Sequence, residues 1–131
     1  MQIGFDSGVS PTMSYDYMLF RPRVSIASYK EISEHILETL GNTEAVMSRL
    51  NSEFPSVEWD TTGGQIWGVL HIGEGRLEIV IGDVGQEDIL SISLKASSRT
   101  SSVHAIQELS NALGLTSMDM QTCELIPPKT A

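Results

Sequence analysis

Apolar residues recur with two different periods along this chain, and each change of period marks an element. Tyr15, Tyr17 and Leu19 alternate with Asp16, Met18 and Phe20, an aromatic-rich pattern closed by Arg21-Pro22, which predicts a strand. From Ser28 the pattern lengthens. Ser28 and Glu31 have the S-x-x-E spacing of a capping box, and Ile32, Ile36, Leu37 and Leu40 then share one helical stripe. A helix is predicted there, stopped by Gly41-Asn42. Thr43 is placed to cap a second helix, with Val46, Met47, Leu50 and Phe54 on its stripe and Pro55 at its end.

After Pro55 the period shortens to two. Gln65–Ile72, Arg76–Ile81 and Ile89–Ala96 read as three successive strands, joined by the short Gly73-Glu74-Gly75 loop and the longer Gly82–Asp88 loop. Leu77, Ile79 and Ile81 share one face of the second, and Leu90, Ile92 and Leu94 one face of the third. Glu78, Val80, Ser91, Ser93 and Lys95 lie opposite, so one side of the sheet is half-wet. Short connections make the pairing antiparallel. A last helix runs from Ser101 or Ser102 to Leu113, with Val103, Ile106, Leu109, Ala112 and Leu113 as its stripe and Gly114 as its stop. Met118–Ile126 holds one or two short strands around Gln121-Thr122. The order β-α-α-β-β-β-α-β predicts an α+β fold, a two-layer sandwich whose mainly antiparallel sheet carries its helices on one face.

Length and composition fit that picture. A chain of 131 residues with 40% hydrophobic and 19% charged residues is the size and make-up of one globular domain. Residues 1–12 lack a sustained period and read as a loose leader, 13–126 as the domain, and 127–131, with Pro127-Pro128, as a flexible tail. The net charge of −9 argues against nucleic acid or an anionic membrane as partner, since both reward Lys and Arg. Its ordinary meaning is solubility; its sharper one is an acidic face for a basic partner. One cysteine excludes an internal disulfide and a cysteine-based zinc site. No stretch at the start has the make-up of a secretory signal, and no apolar run approaches the ~20 residues of a spanning helix. A cytoplasmic location is expected.

Candidate chemistry is sparse. His35, His71 and His104 fall in separate elements without metal-ligand spacing, and they read as surface or semi-buried histidines. Cys123 has no base beside it in sequence and reads as a small strand residue. Neither a G-x-S-x-G elbow nor a phosphate-binding glycine loop occurs. The carboxylates are more informative: Asp83, Glu87 and Asp88 crowd one loop, and Glu58 and Asp60 flank Trp59. Such loops are usually just solvated, but an acidic patch around a tryptophan suits recognition of a basic surface. Trp59 and Trp67 also have an ordinary role, packing the sheet onto the helices. No cofactor, metal or catalytic residue is expected. The main alternative is a small enzyme or ligand-binding domain with a cleft between sheet and helices.

Several short motifs carry a resemblance. They are Met13–Phe20 (MSYDYMLF), Phe54-Pro55 with Trp59 after it, Ile66-Trp67-Gly68, the Arg76–Gly82 strand, Gly114-Leu115, Met118-Asp119 and the Gln121–Leu125 segment. Over most of residues 13–126 the chain resembles a group of small bacterial immunity-type proteins associated with polymorphic toxin loci. In that group a Thr-Gly-Glu tail follows an acidic turn, and here Cys123 replaces the glycine. The resemblance implies a cytoplasmic protein that binds a cognate toxin, a basic nuclease domain, and blocks its active site. Glu58, Trp59, Asp60, Asp83, Glu87 and Asp88 are the partner-binding candidates.

Overall fold

A computed structural model describes residues 15–73, 75–96 and 99–129, so the expected leader over 1–12 lies outside the described residues. Its elements are β1 (Tyr15–Pro22), β2 (Leu37–Glu38), α1 (Thr43–Glu53), β3 (Glu58–Asp60), β4 (Gln65–Ile72), β5 (Gly75–Asp83), β6 (Ile92–Ala96), α2 (Arg99–Leu113), β7 (Thr116–Asp119) and β8 (Leu125–Ile126). The strands run β3-β4-β5-β6-β1-β7-β8, with β2 paired to the end of β1, and each pairing is antiparallel. Both helices pack on one face, against β5 and, for α2, β7. The predicted α+β sandwich is the observed architecture.

Alternation along each strand builds the core between sheet and helices. Tyr17 and Leu19 of β1, Ile66 and Leu70 of β4, Leu77, Ile79 and Ile81 of β5, and Ile92 and Leu94 of β6 meet Val46 and Leu50 of α1 and Ile106 and Leu109 of α2. Both helices end as their sequences direct. Phe54 N–H returns to Leu50 O at 2.7 Å, and Gly114 takes φ +66 while Leu115 N–H reaches back to Ser110 O at 3.1 Å. The hydroxyls of Ser110 and Ser117, both fully buried, bond to each other and tie α2 to β7.

The segment from Ser28 to Leu40 departs from expectation. It forms two 3-10 turns, Tyr29–Glu31 and Glu34–Ile36, and then strand β2, not a helix. Ser28 does cap, accepting from Lys30 N–H at 3.2 Å, and Glu31 accepts from Ala27 N–H at 3.4 Å, but the turn is not propagated. The cause is the other face of the sheet. Met18 and Phe20 of β1 and Met118 of β7 point away from the helices, and Ile26, Ile32, Ile36, Leu37, Leu90 and Leu125 cover them in a second apolar cluster. A 12-residue helix would concentrate the apolar groups of this segment on one stripe. Two tight turns spread them over a sheet surface, and burial overrides local propensity.

Other boundaries shift for local reasons. Asn42, not Thr43, caps α1, its Oδ1 accepting Ala45 N–H at 2.8 Å, while Thr43 becomes the first helical residue. The third predicted strand starts at Ile92, because Ile89 exchanges its backbone bonds with Leu40 and Gly41, at 2.7 and 2.9 Å, and Leu90, expected on the face of Ile92 and Leu94, packs in the opposite cluster. Val103, expected on the buried stripe of α2, is 44% exposed. Of the expected tail, residues 127–129 lie against α2, with Gln107 Nε2 on Pro127 O at 3.0 Å and Lys129 N–H on Asn111 Oδ1 at 2.7 Å.

Cys123 is in a turn, not in a strand. Asp119, 3% exposed, organises that turn by accepting Gln121 N–H at 2.8 Å, Gln121 Nε2 at 2.6 Å and Thr122 N–H at 3.3 Å. Gln121 Oε1 accepts Asp16 N–H at 2.6 Å, so the turn is also fastened to β1. Cys123 closes it at φ +64, in the left-handed region.

Two stability outcomes follow from this packing. Phe20→Ala and Ile79→Ala, at 0% exposed positions in the two clusters, are each expected to cost ~2–5 kcal/mol in urea denaturation. A Phe20 cost within ~0.5 kcal/mol, typical of surface sites, would mean that the second cluster does not exist. Cys123→Gly removes a left-handed penalty of ~1–2 kcal/mol against a chain-entropy loss of ~0.5–1 kcal/mol. It is expected to raise the denaturation midpoint slightly, and a lower midpoint would contradict the turn geometry.

Candidate functional site

The register brings the two acidic segments to one end of the sheet. Gln65 pairs with Asp83, and Val84 N–H donates to Gly64 O at 2.9 Å, so the β3–β4 turn touches the loop after β5. Thr43 N–H donates to Gln86 O at 3.1 Å, which sets the same loop against the start of α1. Between them lies a cleft of about 480 Å³, with Met47, Ile66 and Val84 as apolar lining and Glu44 and Glu87 among its polar residues. Val84 is 58% exposed beside it. No Lys or Arg occurs in residues 58–65 or 83–91, so the corner is acidic without internal neutralisation from these segments.

The six candidates do not form one patch. Asp83, Glu87 and Asp88 are exposed on the loop, with Asp88 Oδ1 in a long 3.5 Å contact with Thr39 Oγ1. Glu58 and Asp60 lie opposite Val69 and Trp67, on the sheet face away from the helices. Asp60 is occupied structurally, accepting Thr62 N–H at 2.9 Å and Thr62 Oγ1 at 2.7 Å. The Thr62 backbone bond, and then its hydroxyl, hold the Asp60 carboxyl below the ordinary aspartate value. Its charge therefore persists to lower pH than a free aspartate's.

The tryptophans divide between the two faces. Trp59 turns toward the helices, packs on the main core and donates Nε1 to Asn51 Oδ1 of α1 at 2.9 Å. Its ring lies over Gly68, where an added Cβ would stand 2.8 Å from Trp59 Cε3 and 2.9 Å from Glu58 O. Trp67, expected to pack the sheet onto the helices, is on the opposite face and 37% exposed. Its neighbours Ile66 and Gly68 are buried inward, so alternation alone assigns Trp67 to the outer face. Glu44, Met47 and Val84 were not legible as site residues. The bond from Thr43 to Gln86, with those between Ile89 and Leu40 and Gly41, brings the start of α1 to the loop.

Histidine chemistry is dispersed. His35 and His71 are exposed in a 3-10 turn and in β4, and His104 Nε2 lies 3.1 Å from Glu108 Oε1 on the solvent side of α2. Among the described residues no three His, Cys, Asp or Glu side chains gather as a metal-binding group. No helix among them is long and apolar enough to cross a membrane. No protein-family model, curated protein or solved structure matches the chain.

The contact of Trp59 with Gly68 yields a direct check. Gly68→Ala drives a methyl group into the ring and the Glu58 carbonyl, and is expected to cost ~1–3 kcal/mol by overpacking. Unchanged stability in chemical denaturation would show that Trp59 is not seated there.

Proposed function

We propose that this chain is a binding protein of the bacterial immunity type. It neutralises a cognate toxin, a basic nuclease domain, by setting its acidic corner against the toxin's active-site surface. The observation that carries this reading is the placing of Glu44 and Glu87 on a cleft that Met47, Ile66 and Val84 also line, next to the exposed Asp83 and Asp88 of a segment with no Lys or Arg between 83 and 91. A nuclease active site is positively charged because it handles phosphates, and opposite charge steers such a pair to rapid encounter. The cleft has the complementary character for a Lys or Arg side chain: apolar walls for the aliphatic stem and carboxylates for the head. Trp59 enters as the support of strand β3, not as a contact. The turn at Cys123 adds to the resemblance, since its φ of +64 is the backbone a glycine adopts freely, and glycine is what the immunity-type group carries there. In this role the protein acts in the cytoplasm, without cofactor or catalysis.

Association kinetics test the reading. Asp83, Glu87 and Asp88 changed together to Lys should slow association with the toxin domain at least tenfold at low salt, with the gap closing as salt rises. The control changes Glu34, Glu53 and Glu108 to Lys, the same alteration of net charge at exposed sites outside the corner. It should slow association less. Equal slowing by both would leave net charge as the only agent and remove the assigned site.

A further inference from the structure

The two faces of the sheet are covered with unequal grip. On one face α1 and α2 set Val46, Leu50, Ile106 and Leu109, all buried, against the strands. On the other, residues 24–36 lie over Phe20 and Met118, which are 0% and 7% exposed. The bonds of this covering segment close on itself. Lys30 N–H donates to Ser28 Oγ at 3.2 Å and Ala27 N–H to Glu31 Oε2 at 3.4 Å. Glu31 N–H donates to Ser28 O, Ile32 N–H to Tyr29 O and Ile36 N–H to Ser33 O, each at 3.1 Å. Among the described residues, its hydrogen bonds to the rest of the chain are confined to the neck, where Arg23 N–H donates to Ile36 O at 2.6 Å and β2 follows. A compact surface stretch whose ends meet and which bonds to itself is an Ω-loop. Side-chain contact holds its body down, through Ile26 and Ile32. Both are only half-buried, and neither 3-10 turn contains a buried residue.

Free energies of local opening are low where buried apolar contacts are few and backbone bonds are exposed. We infer that residues 24–35 form a hinged lid, which lifts as a unit about the Arg23–Ile36 neck and uncovers Met18, Phe20 and Met118 while the helix-side core stays closed. The open state presents an apolar patch with two methionines, whose flexible thioethers suit an irregular contact surface, and closure withdraws it. The residues of the acidic corner take no part, so the inference is independent of the toxin-binding reading.

The test is thiol labelling of the full chain with a water-soluble disulfide reagent, in a Cys123→Gly background. Met118→Cys places the thiol under the lid, and Ile79→Cys places it under the helices, at a 0% exposed position. The thiol at 118 should react at least about a hundredfold faster than the one at 79, because it waits for the lid and not for global unfolding. Two further changes separate the lid from the core. Val46→Ala weakens the closed and lid-open states alike, so it should speed labelling at 79 about tenfold and leave 118 within about twofold. Ile32→Ala weakens the closed state alone and should speed labelling at 118 about fivefold or more. Equal rates at the two thiols, a rise at 118 with Val46→Ala, or no rise there with Ile32→Ala would each overturn the inference. If Met118→Cys does not fold, Met118 itself serves as the reporter, its oxidation by peroxide read by mass spectrometry with the same two changes and the same outcomes.

Discussion

Strand β1 has to be covered on both faces, and most of the architecture answers to that demand. It lies inside the sheet, between β6 and β7, with Tyr17 and Leu19 facing the helices and Met18 and Phe20 facing away. Phe20 is as fully buried as Leu19. A sheet with helices on one face alone would leave that side of β1 in water. Residues 23–38 supply the missing cover, and the return of β2 to pair with Arg21 and Pro22 pins the cover to the strand it protects. The fold is therefore two-layered over β3–β6 and closer to three-layered around β1 and β7.

Helix α1 divides two chemistries that a single acidic surface would have merged. Glu44 and Met47 look toward the cleft beside the loop after β5, while Ala45, Val46 and Arg49 look toward a cavity that Arg21 shares. Steps of about 100° per residue let consecutive positions serve opposite flanks. Glu44 and Arg49 are thus turned to different flanks of one helix, although the Arg21 side keeps a carboxylate of its own in Glu38, 4.0 Å away.

Much of the fold is legible in the sequence, because period and burial agree in the long elements. Leu77, Ile79 and Ile81 alternate and are buried; Val46 and Leu50 lie on a helical stripe and are buried. The failure over Ser28–Leu40 is instructive: Ile32, Ile36 and Leu37 are indeed apolar contacts, but their partner is the far side of the sheet. A stripe says that residues are buried together, not what buries them. Strand β3 escapes notice because three residues are too few to show a period, and its place is set by Trp59 over Gly68. The candidate site is legible only in part. The crowding of Asp83, Glu87 and Asp88 can be read directly, whereas the approach of Glu44 and the separation of Trp59 from Trp67 depend on register and on which face each residue takes.

The two tryptophans have an optical consequence. One indole is pressed between β4 and α1 with its N–H bonded to Asn51, and the other lies partly open on the reverse of the same sheet. They are the chain's only indoles, so its intrinsic emission has two sources, one on each side of a single layer. A water-soluble quencher reaches Trp67, the more exposed of the two, more readily than the half-buried Trp59. A ligand on the outer face would dim or shift one emitter and leave the other as an internal reference. The two emitters thus report on different sides of the sheet, Trp67 on its outer surface and Trp59 on its contact with α1.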